Sequence, residues 1–347
     1  MKTGLKLVLL TVILTVALGA IAYAKEEFFI KIAHTHGPGT DPEHYAHTPL
    51  QCFVKDIEQA TNGRIKAKIY WNHALGKPEK VMNLLRSGMV EMQAFADGQA
   101  APYYKDIQAI GIPYLFPNRE VCYEVLDGPV IEKFNEKMGR ECGIRPIAWG
   151  ENGGYRHFSS NKLMKTAADL KGLKMRTMTH PVHMEMVRLL GMSPTPISYA
   201  DLYTALQTGV VDGQENSIST VKMAKLDEVQ KYIILDGHMY APWVWFYSQK
   251  FLDKLPDDLR QILFREVRKA VALNREISQR NEKKDLEYLE KKGVTIIEPT
   301  PEAKAEIKKL TQGPIVAMLK KNYDPQLVDD LLEAVKEAEA KQAAGKL

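Results

Sequence analysis

Residues 168–219 read ADLKGLKMRTMTHPVHMEMVRLLGMSPTPISYADLYTALQTGVVDGQENSIS, and this stretch decides the fold. Leu173–Met178 is predicted to be a short strand, and Val182–Leu190 has the spacing of a helix that ends at a glycine. Asp201–Thr208 is predicted to be a second helix, and Val210–Gln214 the next strand. Strands that alternate with helices in this way predict an α/β unit built on a sheet.

The first part of the chain shows the same alternation. The predicted strands and helices are, in chain order, strand Phe28–Ala33, helix Leu50–Ile57, strand Ile65–Trp71, helix Pro78–Ser87, strand Val90–Phe95 and strand Ile144–Trp149. A loop rich in glycine and proline, residues 34–41, follows the first strand. The sequence therefore predicts a second α/β unit before residue 150.

A long segment near the carboxyl end has no helix breaker. Asp257–Lys292 runs for 36 residues without a glycine or a proline. At about 1.5 Å per residue, one continuous helix of this length would span about 54 Å, more than the width of a small domain. We therefore expect a helix that crosses both units. Two shorter helices with a polar break near Gln279–Lys284 are the alternative.

The composition is that of a folded soluble protein. The 347 residues are 45% hydrophobic and 26% charged, which excludes collagen, a disordered chain and a protein with many membrane spans. At roughly 100–200 residues per domain, the length predicts two domains. The net charge is +4 and no block of basic residues occurs, so we expect no nucleic-acid partner.

Residues 1–24 have the order of a secretory signal peptide. Lys2 and Lys6 precede the apolar run Leu7–Ala20, and Ala22-Tyr23-Ala24 offers a cleavage site with small residues. An uncleaved anchor helix is the alternative, but the apolar run is short compared with the roughly 20 residues that span a membrane. We predict a cleaved protein in the periplasm.

Export makes the cysteines relevant, because disulfides form in oxidising compartments. The chain has three cysteines, Cys52, Cys122 and Cys142, so at least one stays free or pairs with another chain. Cys122 and Cys142 flank a predicted helix, Val130–Met138. The sequence leaves open whether these two residues pair.

Histidines are the one feature of the sequence that is typical of a metal site. The chain lacks the GxSxG, HExxH, P-loop and GxGxxG signatures, so we expect no catalysis. His34, His36, His44 and His47 lie within 14 residues, and imidazole suits a divalent transition metal. Their spacing matches no standard zinc motif. We interpret the segment as a polar loop beside a cleft and keep a metal site as the alternative.

Motifs along most of the chain resemble those of a known family. The stretch quoted above contains D-L-K-G-L-K-x-R, L-G-x-x-P-x-P and Y-T-A-L-Q-T-G-V-V-D-G-Q-E-N. The rest of the chain adds further matching segments, which are T-N-G-R-I at 61–65, L-G at 75–76, G-x-V-E-M at 88–92, I-P-Y-L-F at 112–116, G-Y-R at 154–156 and S-N-K at 160–162. Together they resemble the substrate-binding subunit of a tripartite ATP-independent periplasmic (TRAP) transporter, DctP type.

The resemblance implies an α/β fold with two lobes and a long helix shared by both. Lobe I would comprise residues 25–153 plus about 242–280, and lobe II residues 154–241 plus about 281–347. It also implies a non-enzymatic, monomeric protein that needs no cofactor. Such a protein captures a small carboxylate ligand in the cleft and delivers it to the TRAP membrane permease. A periplasmic metal-binding protein or a ligand sensor with the same fold is the alternative.

The resemblance also implies which residues bind the ligand. Arg176 holds the position of the family's carboxylate-binding arginine, and Arg156 that of a second arginine in the cleft. Asn216 and Tyr199 match positions that orient the ligand or lie beside it.

First-lobe contacts are expected from strand ends that should face the cleft. These are Thr35, Asp97 and Trp149. Tyr240 and Trp243 lie where the chain returns between the lobes, and the sequence leaves open whether they pack on the ligand or serve the core.

Overall fold

The structure is a computed structural model that describes residues 26–39 and 41–347. The predicted signal peptide, residues 1–24, lies outside the described residues. In the described part of the chain, no helix combines the length and the apolar character that crossing a membrane requires.

Within the described residues, nine strands form one mixed sheet. They are β1 (Phe28–Ala33), β2 (Ile65–Tyr70), β3 (Met92–Ala96), β4 (Ile144–Ser160), β5 (Lys174–Thr177), β6 (Ser193–Pro196), β7 (Gly213–Ser217), β8 (Tyr232–Ser248) and β9 (Thr295–Ile297). Their order is β2-β1-β3-β8-β4-β7-β5-β6, with β9 paired to β8. β1 runs parallel to β2 and β3 at one end, and β5 runs parallel to β6 and β7 at the other. Ligands of open α/β sheets bind where parallel strands end.

β4 and β8 are the two long strands, with 17 residues each. They pair antiparallel, but their register breaks between Glu151 and Tyr155. Gly153 and Gly154 lie in that break with φ of +75° and +99°, which glycine adopts without a Cβ penalty. The strand predicted to end at Trp149 therefore continues to the end of β4, because the glycines let the chain bend within the sheet.

This break divides the sheet into two lobes. The first lobe holds β1, β2, β3 and the parts of β4 and β8 that pair beside them. The second lobe holds β5, β6, β7, β9 and the remaining parts of β4 and β8. The residue boundaries given above for the two lobes stay a prediction.

Helices cover the sheet in both lobes. In the described residues they are α1 (Thr48–Ala60), α2 (Pro78–Ser87), α3 (Arg119–Leu126), α4 (Pro129–Cys142), α5 (Ala167–Leu170), α6 (Pro181–Leu189), α7 (Leu202–Gln207), α8 (Ile218–Met223), α9 (Gln249–Leu252), α10 (Asp257–Lys291), α11 (Pro301–Asn322) and α12 (Pro325–Ala343). Helix α10 is continuous over 35 residues. The prediction of one long helix is confirmed, and the alternative with a break near Gln279–Lys284 is wrong.

Asn274 links α10 to the centre of the sheet through hydrogen bonds. Its Oδ1 accepts a hydrogen bond from the amide of Glu151 at 2.6 Å. Its Nδ2 donates to the carbonyls of Tyr45 at 2.8 Å and Glu151 at 3.0 Å. The neighbouring Arg275 donates to the carbonyl of Trp149. The long helix therefore holds β4 next to the point where the lobes join.

All three cysteines are free thiols. Cys122 lies buried inside α3, and Cys142 is the last residue of α4, where its thiol lies 3.8 Å from the carbonyl oxygen of Ile144. The pairing that the sequence left open between Cys122 and Cys142 is absent from this structure.

Candidate ligand-binding site

A cleft lies between the two lobes, next to the carboxyl ends of β1, β3 and β5. Together with the open solvent at its mouth, it contains about 410 Å³ of space not filled by atoms. The lining side chains come from both lobes and are His36, Phe95, Ala96, Gln99, Asn152, Arg156, Arg176, Met178, Tyr199, Asn216, Thr220, Met223 and Trp243. A small solute held here would contact both lobes at once.

Four of the predicted binding residues meet in this cleft. Arg156 on β4, Arg176 on β5 and Asn216 on β7 lie on three neighbouring strands, and Tyr199 follows β6. Trp243 on β8, whose role the sequence left open, lines the cleft as well. Their part in ligand binding stays a prediction.

Arg176 carries a buried positive charge that has no nearby counter-ion among the described residues. The residue is 2% exposed, and its Nε donates to the carbonyl of Ile197 at 2.9 Å. Among the described residues, no carboxylate oxygen lies within 4.0 Å of its guanidinium. Burial lowers the pKa of Arg176 to about 10, although Glu215 acts in the opposite direction. A buried cation without a close counter-ion is costly, so this position favours an anion.

Arg156 differs because it already has a counter-ion. Its Nε and Nη2 bond the two carboxylate oxygens of Glu215, and Nη2 also donates to the Glu215 carbonyl at 2.6 Å. Ring nitrogens of His183 and His238 lie 3.1 Å and 3.4 Å from the same carboxylate. Burial alone would raise the pKa of Glu215, but Arg156 and these histidines hold it well below its usual range. Arg156 is therefore fixed in the cleft wall and largely neutralised.

Polar side chains complete the wall, and sequence reasoning missed two of them, Asn152 and Thr220. The hydroxyl of Tyr45 donates to Oδ1 of Asn152 at 2.7 Å and lies 3.5 Å from Oγ1 of Thr220. Nδ2 of Asn216 donates to Oε1 of Gln214 at 2.5 Å. Asn152 and Thr220 carry no sequence signal, because single amides and hydroxyls are common in any loop or helix start.

Aromatic rings close the opposite side of the cleft. The ring of Trp243 lies 5.5 Å from that of Phe95, both in the first lobe. Tyr199 reaches across from the second lobe, with its ring 5.9 Å from His36 and 6.5 Å from Phe95. Burial raises the pKa of Tyr199 to about 12, so its hydroxyl keeps its proton and can donate a hydrogen bond.

The three first-lobe residues expected at strand ends are placed outside the lining. The indole of Trp149 packs beside Phe134 and donates to Oδ1 of Asn135 at 3.0 Å, on the side of α4. Asp97 is buried, with Oδ2 3.8 Å from Nε2 of His180, and burial raises its pKa. Neither side chain is part of the cleft lining, and a role of Asp97 and Trp149 in ligand binding stays a prediction.

Thr35, the third of these residues, acts on a neighbour. Its Oγ1 lies 3.1 Å from Nδ1 of His36, which does line the cleft. Thr35 can therefore fix the orientation of the His36 ring without touching a ligand.

Three of the four clustered histidines bring ring nitrogens together. His34, His36 and His47 each offer a nitrogen within 4.8 Å of the other two. His44 stacks on His47 with ring centroids 3.5 Å apart. Burial, aided by the neighbouring histidines, lowers the pKa of His36 and of His47 to about 4 and that of His34 well below its usual value. All three rings are therefore neutral near pH 7.

Comparison with known proteins shows which family the chain belongs to. Residues 34–322 match the model of DctP, bacterial extracellular solute-binding protein, family 7. A solute-binding protein of Verminephrobacter eiseniae (strain EF01-2) is 32% identical over 286 residues, which cover 82% of this chain and 84% of that protein. The C4-dicarboxylate-binding periplasmic protein DctP of Rhodobacter capsulatus is 30% identical over 283 residues, covering 81% and 83%.

A solved structure shows the same fold. The sugar acid binding protein of Advenella mimigardefordensis, in complex with galactonate, matches with a TM-score of 0.82 at 29% identity. The match covers 90% of this chain and 99% of that one. The two-lobed α/β fold expected from the resemblance is confirmed. The chain therefore belongs to the DctP family of TRAP-type solute-binding proteins, family 7 of the bacterial extracellular solute-binding proteins.

Proposed function

We propose that this chain captures a small organic acid in the cleft through a carboxylate bound to Arg176. One observation carries the proposal: Arg176 is buried in the cleft wall and has no carboxylate partner among residues 26–39 and 41–347. A ligand carboxylate supplies the missing counter-charge. The planar guanidinium can meet it with two parallel hydrogen bonds.

Arg156 has a supporting part in this proposal. Because Glu215 binds its Nε and Nη2, Arg156 offers its remaining amino group, Nη1, from a fixed position. Such a group suits a hydroxyl or one oxygen of the ligand's carboxylate. In this proposal, Arg176 neutralises the charge of the ligand carboxylate, and Arg156 orients the ligand.

The rest of the lining favours an acid that also carries polar groups. Asn152, Asn216 and Thr220 offer hydrogen bonds, while Phe95 and Trp243 offer apolar faces to a carbon chain. The relatives reported above are described as binding C4-dicarboxylates and galactonate. Sugar acids and C4-dicarboxylates are therefore the first candidate ligands.

The protein binds its ligand without changing it and hands it to a TRAP permease in the membrane. Membership of a family of solute-binding proteins supports both points. The order of charged, apolar and small residues in 1–24 supports secretion and cleavage, and hence a periplasmic location. A monomer suffices, because one chain contains the whole cleft.

A thermal-shift screen tests the proposal. The mature protein is melted with sugar acids, keto acids and C4-dicarboxylates, with the matching sugars and sugar alcohols as uncharged controls. A ligand that binds only the folded state raises the melting temperature by mass action. We expect at least one acid to do so and to be recovered unchanged by mass spectrometry. A shift caused equally by the uncharged partners, or a converted product, would contradict the proposal.

A further inference from the structure

A group of three histidines borders the cleft, and an arginine-bound acid does not account for it. His34 and His36 follow β1, and His47 precedes α1. His34 is 2% exposed and His47 4% exposed. One nitrogen of each ring lies within 4.8 Å of a nitrogen of the other two. Three separate rings therefore point polar atoms into one small volume.

These nitrogens lack hydrogen-bond partners. Nε2 of His34, Nε2 of His36 and both ring nitrogens of His47 are buried without a partner among the described residues. A buried polar group without a partner is costly, and such groups in folded proteins usually have a structural or functional reason. A core that needed only packing would be served better here by apolar side chains.

We propose that His34, His36 and His47 bind a divalent transition-metal ion, with Zn²⁺ as the reference ion. Three neutral imidazoles with one open position make up a common zinc ligand set. A tetrahedral ion with Zn–N distances of about 2.1 Å holds its nitrogens about 3.4 Å apart. The rings therefore need to approach one another by at most about 1.4 Å from the separation of 4.8 Å.

Neighbouring groups orient two of the ligands. Oγ1 of Thr35 lies 3.1 Å from Nδ1 of His36, so a proton on Nδ1 leaves the lone pair of Nε2 free for the ion. The ring of His44 stacks on His47 with an interplanar angle of 6° and holds it in place. At His34, Nδ1 accepts a hydrogen bond from the amide of His36 at 3.1 Å. Metal binding at Nε2 of His34 moves the ring proton to Nδ1 and gives up that one contact.

An ion held by these residues would lie beside the cleft, because His36 is itself part of the cleft lining. A hydroxyl or second carboxylate of a ligand held on Arg176 can fill the open position of that ion. This extension rests on the proposed function, whereas the metal site does not.

Metal titration of the full mature protein tests the site. After treatment with a chelator and dialysis, the protein is titrated with Zn²⁺ by calorimetry and with Co²⁺ by visible absorption. We expect one ion per chain, micromolar or tighter affinity, and the absorption of four-coordinate Co²⁺. Loss of a group that only orients a ligand costs roughly 10- to 100-fold in affinity. His36→Asn and His47→Asn should therefore each weaken binding by at least about 100-fold.

The variants are chosen so that they fold. His47 is the N-cap residue of α1, where asparagine is also favoured. His73 serves as the matched control, because it lies nearby outside the trio and asparagine tolerates its φ of +56°. His73→Asn should bind Zn²⁺ within about threefold of the wild type. Absence of Zn²⁺ binding to the wild type, or binding by His36→Asn and His47→Asn that is as tight as that of the wild type, would overturn the proposal.

The same samples separate this inference from the proposed function. Organic acids that bind in the presence of chelator, to a protein that takes up no metal, would overturn the metal site and leave acid binding intact. Metal uptake without any acid binding would do the reverse. If the ligand fills the open position, Zn²⁺ tightens acid binding at least tenfold in the wild type and not in His47→Asn. Unchanged acid affinity would overturn that extension.

Discussion

Replacing Arg176 should weaken ligand binding severely, and a replacement that fills its space should leave the empty protein as stable as before. Arg176 is 2% exposed and has no carboxylate partner among the described residues, so the ligand carboxylate is its counter-ion in our account. Leaving one member of a buried ion pair alone costs about 3–5 kcal/mol. At about 1.4 kcal/mol per decade, Arg176→Ala should weaken binding by roughly 100- to 5,000-fold.

Two further substitutions separate charge, geometry and stability. Arg176→Lys keeps the charge but loses one of two charged hydrogen bonds and the bond from Nε to the Ile197 carbonyl. Such a bond is worth about 1.5–3 kcal/mol, so binding should weaken by roughly 10- to 100-fold. Arg176→Met fills the space with an apolar chain. Because burial lowers the pKa of Arg176 to about 10, folding penalises the charge, and Arg176→Met should melt no lower than the wild type without ligand.

Calorimetric titration with the acid found in the screen provides the assay. Arg188→Ala is the control, because Arg188 is an exposed arginine of the same lobe whose one ion pair within the described part of the chain is with Glu185 on the surface. It should bind as the wild type does. Binding by Arg176→Ala within about threefold of the wild type, less than about 1 kcal/mol, would refute the carboxylate assignment.

Three other predictions concern stability and motion. Burial alone would lower the pKa of His238, but Asp236 and Glu215 outweigh burial and raise that pKa to about 9. The stability that the charged His238 contributes is therefore full below pH 6.5 and is lost as the pH rises through 9. Urea melts should therefore show a decline of at most about 3 kcal/mol over that range, and an equal decline in His238→Asn would contradict the assignment. Gly153→Ala places a Cβ 2.7 Å from Ser217 and Ser219, whereas Gly63→Ala at a similar φ meets nothing within 4 Å. In denaturant melts we expect Gly153→Ala to lower the free energy of unfolding by about 2–4 kcal/mol and Gly63→Ala by about 1 kcal/mol. Equal losses would show that the break in β4 is not packed as described. Small-angle scattering should report a smaller radius of gyration with saturating acid than without it, since a ligand that contacts both lobes favours closure, and superimposable curves would contradict this.

The elements that could be predicted from sequence are those set by local chemistry. The long helix α10 has neither glycine nor proline, and β1 begins and ends where the predicted strand does. β4 could not be predicted at full length, because glycines usually end a strand. Gly153 and Gly154 instead adopt positive φ and keep the chain in the sheet.

The candidate site was predictable mainly in its second lobe. The motifs of residues 168–219 and 154–156 identify Arg156, Arg176, Tyr199 and Asn216, and the structure brings these four into one cleft. The partner of Arg156 could not be predicted, because Glu215 is 59 positions away and no local pattern relates the two residues.

First-lobe residues show the limit of reasoning from strand ends. Asp97 and Trp149 were chosen by position along a strand, but the face that a side chain takes depends on the register of the whole strand. In the structure, Trp149 points towards α4, and the tryptophan that lines the cleft is Trp243. The convergence of His34, His36 and His47 likewise depends on how the loop folds, which their spacing does not reveal.

The most direct test of the central claim compares one acid with its own amide. The acid identified by the screen and its primary amide have nearly the same size and shape, but only the acid carries a charge for Arg176. Calorimetry with the wild-type protein should give one acid bound per chain and amide binding weaker by at least about 100-fold, the lower end of the range for a buried unpaired charge. Equal affinity for the two compounds would contradict the claim that a buried arginine selects an organic acid in this cleft.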